Sequence, residues 1–356
     1  MRILVTGACG FVGSRVLRRL RQSLENATLI GIDNLCRAGS ETNRPLLKQL
    51  GVQFIHGDVR SASDFESLPA VDWVIDAAAN PSVLAGVDGK SSSRQVIEHN
   101  LAGTINMLEY CKRHGAGFIL LSTSRVYSIP ALCSLPFQSV GSRFVLEEST
   151  ALPEGATSHG IAENFSTAPP LSLYGVSKKM SEDLALEFAS VFRLPVWVNR
   201  CGVMAGAGQF GRADQGIIAF WIHSWREGRP LRYLGFGGRG WQVRDALHPD
   251  DLAELILKQM KLGQAGEIPK VMNASGGPES AFSLAELSAW CGEHFGKSNE
   301  VVQDGAERPF DLAWLILDDR KLRSALQWRP TIGREALFEE VARFARENPQ
   351  WMSVSA

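Results

Sequence analysis

The chain has 356 residues, 45% of them hydrophobic, with 37 Lys+Arg against 38 Asp+Glu and a formal net charge of -1. This length fits one large α/β domain plus a smaller lobe, with apolar residues enough for a sizeable core. The near-neutral balance gives no electrostatic reason to expect nucleic acid or a membrane surface as partner, and no apolar run approaches the roughly 20 residues that span a bilayer.

Residues 2–6 (RILVT) form a short apolar run that stops at Gly7. Val12, Val16, Leu17, Leu20 and Leu24 then fall on one face of a helix over 12–24. Strand-like runs follow at 28–33, 52–58, 73–79 and 117–123, mostly separated by helical stretches such as 100–113. A further run at 195–201 follows a helical stretch at 177–192. Short buried strands alternating with helices predict an α/β fold with a doubly wound parallel sheet. Ligands bind such sheets at the carboxyl ends of the strands. Segment 128–172, rich in Ser, Pro, Gly and Ala, lacks strong periodicity and reads as a long irregular loop, either functional or disordered. From about 203 the alternation is less regular. The expected organisation is a doubly wound domain over 1–202. A smaller mixed lobe over 203–356 would be interleaved with returns to the main sheet.

The six cysteines (Cys9, Cys36, Cys111, Cys133, Cys201, Cys291) include no C-x-x-C pair. They are expected to be buried or free thiols in a reducing compartment, without a metal site. MRILVTG reads as no secretory leader. A cytoplasmic protein is expected.

Gly7-Ala8-Cys9-Gly10-Phe11-Val12-Gly13 reads G-x-x-G-x-x-G between a strand and an amphipathic helix, the context that a dinucleotide loop requires. Glycines allow the tight turn and let backbone N–H groups approach a pyrophosphate, and a helix N-terminus favours the anion. Asp33 ends the second strand, where a carboxylate accepts from adenosine ribose hydroxyls and repels a 2′-phosphate. NAD is therefore favoured over NADP, with Arg37 nearby tempering the preference; a turn-forming Asp before Asn34 is the bland alternative. Asp58, ending the third strand, is placed to approach the adenine amino group, or else merely caps its loop.

Tyr174-Gly175-Val176-Ser177-Lys178 puts a phenol and an ammonium four residues apart, on one helix face. A nearby ammonium stabilises phenolate, which a base working near neutral pH needs because a free tyrosine titrates near 10. Ser122 and Thr123 end the fifth strand, at the expected crevice, where a hydroxyl can bond the substrate oxygen that Tyr174 deprotonates.

Together these features resemble the extended short-chain dehydrogenases/reductases. They are G7-x-x-G10-x-x-G13, Asp33, Asp58, Ser122-Thr123 followed by Val126-Tyr127, and Tyr174-x-x-x-Lys178. The resemblance covers nearly the whole chain. Asn100-x-x-Gly103-Thr104, Gln242-Val243-Arg244-Asp245 and His248-Pro249-Asp250-Asp251-Leu252 look like the nucleotide-sugar branch. Gly160-Ile161-Ala162-Glu163-Asn164, Asp214-Gln215-Gly216 and the Gln242–Asp245 run are similar to the CDP-tyvelose/CDP-paratose 2-epimerase group.

The resemblance implies a Rossmann domain with NAD as cofactor and Thr123, Tyr174 and Lys178 as catalytic residues. Phe11, Val12, Asn34, Arg37, Val59, Ala77, Ala78, Ala79, Asn100 and Ser122 would complete the cofactor wall. Tyr174 would deprotonate a sugar hydroxyl while NAD takes a hydride, and the hydride would return to the opposite face. Arg244 would contact the diphosphate of a nucleotide-sugar substrate, with Arg308 as a second phosphate candidate. Asn199, with Arg200 and Gln215, would line the substrate pocket. A homodimer follows by analogy.

The chain departs from the family pattern at Ser128, at 77–82 (AAANPS) and at Ser172-Leu173. The dehydratases carry an Asp-Glu pair after the catalytic Thr, but Ser124-Arg125 stands here, which argues against 4,6-dehydration. A CDP-sugar 2-epimerase is the expectation. UDP-sugar 4-epimerisation, net sugar oxidoreduction and a non-catalytic nucleotide-binding role remain as alternatives.

Overall fold

The computed structural model describes all residues except 88, 90, 91, 148–150, 213, 214, 265–267, 355 and 356. Its centre is a parallel sheet of seven strands, β1 (Arg2–Thr6), β2 (Thr28–Asp33), β3 (Gln53–His56), β4 (Trp73–Asp76), β5 (Gly117–Thr123), β6 (Val196–Cys201) and β7 (Val271–Ala274). They lie in the order β7-β6-β5-β4-β1-β2-β3. The order reverses direction beside β1, which leaves a crevice above the carboxyl ends of β1 and β4.

Alternation along each strand sends neighbouring residues to opposite faces, and both faces are apolar. Ile3 and Val5 face α1 (Phe11–Ser23) and α4 (Pro249–Leu262) through Val16, Leu17, Leu20, Leu252 and Ile256. Leu4, Val74 and Phe118 face α2 (Gly103–His114) and α3 (Leu173–Phe192) through Met107, Leu108 and Ala185.

Several element boundaries differ from the sequence reading. The run at 73–79 stops being strand at Asp76 because the next residues turn aside against the glycine loop: a Cβ on Gly7 would stand 2.8 Å from the Ala77 carbonyl oxygen. α3 starts at Leu173, four residues before the predicted helix, because Ser172 Oγ accepts from Gly175 N–H at 3.0 Å and caps it. Tyr174 therefore sits in the first helical turn. The stretch 128–172 is not wholly irregular. It holds a helical turn at Ile129–Cys133 and two small hairpins, Phe137–Val140 with Arg143–Leu146 and Ala156–Thr157 with Gly160–Ile161. Strands of two to four residues are too short to show periodicity in sequence.

The strand Val243–Leu247 pairs with Val203–Met204, Ala281–Ser283 and Trp314–Leu315 in a small mixed sheet. Trp221, Ile222 and Trp225 of the helix Ile217–Glu227 pack there on Leu337, Phe338 and Val341 of α5 (Arg334–Glu347). Between these lobe elements the chain returns through α4, which lies on α1, and β7, which edges the main sheet. All six cysteines are free thiols. Among the described residues no helix is long and apolar enough to cross a membrane.

Candidate active site

A cavity of about 770 Å³ runs from the glycine loop, over the ends of β1, β4 and β5, into the lobe. Gly7 holds φ +62, a left-handed conformation that favours glycine, and its carbonyl accepts from Gly10 N–H at 2.9 Å. A Cβ on Gly13 would run into the Gly7 carbonyl oxygen, so α1 can approach the loop only without a side chain there. Gly10 precedes α1 with no side-chain cap, leaving the first N–H groups of the helix directed at the cavity end. These are the features of an anion cradle, and they fit a dinucleotide pyrophosphate.

Gly7, Gly10, Phe11, Val12, Gly13, Asp33, Asn34, Arg37, Val59, Ala77, Ala78, Ala79 and Ser122 all line this cavity. Asp33 accepts from Cys9 N–H at 2.9 Å and Leu35 N–H at 2.7 Å. Burial nonetheless raises its carboxyl pKa, with those N–H groups pulling the other way. Several sequence-based assignments need correction. Asp58 is off the wall because Arg60 at 2.6 Å and Asn34 at 2.9 Å engage its carboxylate; its neighbours Gly57 and Val59 line the cavity instead. Asn100 is also off the wall. Its amide is buried against Asn80 and Ser177, so it can act on the site only through those residues. Gln215 accepts from Arg37 at 2.9 Å, which places it beside the cofactor loop and not with the substrate candidates. Asn199 is buried in a reciprocal amide pair with Gln259, at 2.9 and 2.7 Å, and does not reach the cavity. Arg200 is likewise buried, in an ion pair with Glu182 at 2.8 Å. Asp214 lies outside the described residues.

Thr123 and Tyr174 meet on the cavity wall. Arg125 N–H donates to Thr123 Oγ1 at 3.1 Å, which leaves the Thr123 proton free to be donated to the phenol oxygen. Lys178 is buried off the cavity wall, and its charge acts on Asp76 and Cys201. Burial pushes the Tyr174 pKa up to about 12, against the Thr123 hydrogen bond and the charge of Arg125.

At the lobe end, Arg244 donates to the carbonyls of Val243 at 2.7 Å and Leu312 at 2.9 Å, and lies 3.6 Å from Asp311. Arg308 and Arg125 share that wall. Three arginines against one aspartate leave a surplus of positive charge, suited to an anionic substrate group. Sequence reasoning assigned Arg125 no binding role, and it missed Phe310 and Asp311. The signal for Arg125 was present, since it stands where dehydratases carry a carboxylate. Phe310 betrays itself only in the fold: its φ is +61, uncommon for a bulky residue, and its carbonyl accepts from Arg125 at 3.0 Å. The Gly160–Asn164 run is structural. Ile161 N–H bonds the Ile316 carbonyl at 2.8 Å, and Glu163 accepts from Asn273 N–H at 2.8 Å.

A doubly wound sheet with a glycine cradle at its switch point and a Thr–Tyr pair across the cavity defines a dinucleotide-dependent enzyme of the extended short-chain dehydrogenase/reductase type. The chain belongs to the NAD dependent epimerase/dehydratase family, which residues 3–275 match. It is 27% identical to CDP-paratose 2-epimerase of Salmonella typhi over 93% of this chain and 95% of that protein. It is 30% identical to dTDP-glucose 4,6-dehydratase of Streptomyces antibioticus over 99% of this chain and 94% of that one. Among solved structures, the NAD complex of Thermus thermophilus UDP-glucose 4-epimerase superposes with a TM-score of 0.73 at 25% identity, covering 97% of this chain and 99% of that one.

Proposed function

We propose that this chain epimerises a nucleotide-diphosphate sugar by transient oxidation with NAD, and that its substrate is a CDP-sugar inverted at C2. The observation that carries this reading is the Thr123–Tyr174 pair with Arg125, not a carboxylate, beside it. Reversible oxidation needs one proton carrier, and Tyr174 supplies it. Elimination of water needs a second, and a guanidinium stays protonated. Asp311, the acidic residue on that side, is engaged by Arg244 and by Gln242 at 3.2 Å.

In this reading Gly7, Gly10 and Gly13 with the start of α1 hold the pyrophosphate, and Asp33 faces the adenosine ribose. The dinucleotide, when bound, supplies a hydride acceptor and then a hydride donor. Tyr174 takes the proton of the sugar hydroxyl as its carbon is oxidised and returns it on reduction. Thr123 bonds the same oxygen. Arg244 and Arg308 hold the diphosphate. Likeness to the Salmonella typhi 2-epimerase supports the choice of CDP-sugar, and likeness to the Thermus 4-epimerase supports a UDP-sugar C4 reaction as the second reading.

The test is incubation of the NAD-loaded protein with CDP-paratose, UDP-glucose, UDP-glucuronate and dTDP-glucose in deuterated water. Sugar products are read by NMR and reduced cofactor by absorbance. An epimer without deuterium at the inverted carbon supports the proposal. Steady accumulation of reduced cofactor, or a 4-keto-6-deoxy product, overturns it. Tyr174→Phe should lower kcat by about 10²–10⁴-fold while leaving NAD retention unchanged.

The cytoplasm suits six free thiols. A homodimer through α2 and α3 would cover Ile105 and Met180, exposed large hydrophobics on these packed helices. Sedimentation should then show a dimer for the parent protein and a monomer for Met180→Glu.

A further inference from the structure

Past Asp33 the cavity wall is assembled from segments far apart in sequence. Arg37 and Ser40, in the turn after β2, line it together with Gln209, Phe210 and Gln215. Arg37 ties the two sides to each other: its guanidinium donates to the Phe210 carbonyl at 3.1 Å and to Gln215 at 2.9 Å. Gly39, with φ +88, has no room for a side chain, because a Cβ would stand 3.0 Å from both the Phe210 ring and the Val354 carbonyl oxygen. Three stretches of chain therefore touch at one point, and the third of them is the helical turn Trp351–Val354. Trp351 backs the wall. Its indole stacks on Phe210 with ring centroids 5.4 Å apart and 17° between the planes, and its Nε1–H donates to the Gln209 carbonyl at 2.9 Å. It also meets Phe344 of α5 edge-on, at 5.1 Å and 88°.

We propose that Trp351 is a positioning residue for the cofactor: it holds the Gln209–Phe210 wall shut against the turn after β2, so that the dinucleotide stays on the protein between oxidation and re-reduction of the sugar. Among the described residues no helix or strand intervenes between Met204 and Ile217, so the wall is a loop and opens at lower cost than the sheet beside it. Phe210 is nevertheless buried, and what covers it from behind is the Trp351 ring. The anchor for that ring is α5, whose Leu337, Phe338 and Val341 belong to the lobe core. The strap thus joins the rigid lobe to the loop that closes the cofactor end of the cavity. One stacked aromatic pair and one hydrogen bond lower the open population of such a loop by about tenfold. The chemistry gives this a use. Transient oxidation leaves a keto-sugar and reduced cofactor together in the cavity, and the cycle completes only if the cofactor outlasts the return of the hydride. The inference rests on the reading of this cavity as the dinucleotide site of an epimerase.

The experiment is a chase. The full-length parent, Trp351→Ala, Trp351→Phe and Val341→Ala are loaded with radiolabelled NAD, excess unlabelled NAD is added, and the label still on the protein is followed in time. Urea midpoints of the same four proteins without cofactor are measured alongside. Trp351→Ala should release NAD about tenfold faster than the parent. Trp351→Phe keeps a ring on Phe210 without the N–H donor, and should release it about threefold faster. If Trp351→Ala fails to fold, that variant against the parent decides the matter. Val341→Ala trims the lobe core on α5 and leaves the Trp351–Phe210 stack in place, so it should release NAD at the parent rate however far its urea midpoint falls. Release from Trp351→Ala at the parent rate, or an acceleration in Val341→Ala as large as that in Trp351→Ala, would overturn the proposal. A parent that holds no NAD would sink the dinucleotide reading and the strap together, whereas a parent that holds NAD and turns over without epimerising sinks only the epimerase reading.

Discussion

A methyl group on Gly13 has nowhere to go, because its Cβ would overlap the Gly7 carbonyl oxygen, an atom of backbone and not of a flexible side chain. Either α1 backs away from the loop or Gly7 rotates, and both spoil the pyrophosphate cradle. Gly13→Ala should therefore lower stability by about 1–3 kcal/mol and weaken NAD binding by about tenfold or more. Denaturant unfolding and calorimetric titration with NAD check the two effects. Gly13 was legible in the sequence because its reason is local: the turn and the helix start lie within seven residues. Thr123 and Tyr174 could be placed for a similar reason, one ending a strand and the other starting a helix. Asn199 and Gln215 could not. Asn199 turns away because Gln259, 60 residues on, takes its amide. Gln215 sits where it does because Arg37, 178 residues earlier, reaches it. Side-chain direction at a strand end or in a loop is decided by such distant partners, which local spacing does not encode.

At the scale of one element, α3 carries the site on a single stripe. Tyr174 faces the cavity, Ser177 Oγ accepts from Asn100 at 3.0 Å, and Lys178 lies beneath. One turn further, Glu182 is fully buried, accepts from Ser122 at 2.6 Å and pairs with Arg200 at 2.8 Å. The stripe was read only as far as Lys178, because a glutamate four residues on looks like a solvated helix position until its two partners arrive from β5 and β6. Those contacts fix the angle at which the helix crosses the strand ends, and so the separation of Tyr174 from Thr123. Removing the carboxylate strands a guanidinium whose side chain is 6% exposed. Glu182→Ala should cost about 3–5 kcal/mol, as loss of one partner of a buried pair does. The urea midpoint should fall accordingly, and a Glu182→Ala protein with the parent midpoint would show that water or another acid compensates the arginine.

Across the whole molecule, the glycine loop is braced from the far end of the chain. Arg15 on α1 reaches Asp250 on α4 at 3.2 Å and Glu340 on α5 at 2.9 Å. His248 Nδ1 accepts from Asp250 N–H at 3.2 Å, and its Nε2 lies 2.7 Å from Glu340 and 3.0 Å from Arg15. The His-Pro-Asp-Asp run that resembled a family signature is thus a clamp between the sheet helices and the lobe, a role that emerges only when residues 15, 250 and 340 meet. Burial alone would raise the Glu340 pKa, but His248 and Arg15 outweigh it and hold the carboxyl at about 2 against an ordinary 4.5. A depressed folded-state value stabilises the native protein above the unfolded pKa, and this contribution fades as pH falls from 4.5 through about 2. Its size at neutral pH is about 3 kcal/mol. Asp245 acts in the opposite sense: burial lifts its pKa from 3.8 to about 6, so its contribution is lost as pH rises through that range. The two groups offset each other in the parent's own pH profile, so the parent must be compared with Glu340→Gln. Stability from urea unfolding should differ most between the two proteins at about pH 7, and the difference should shrink by more than half at about pH 3. A gap that stays constant across that range would mean that Glu340 contributes shape and hydrogen bonding but no charge to the clamp.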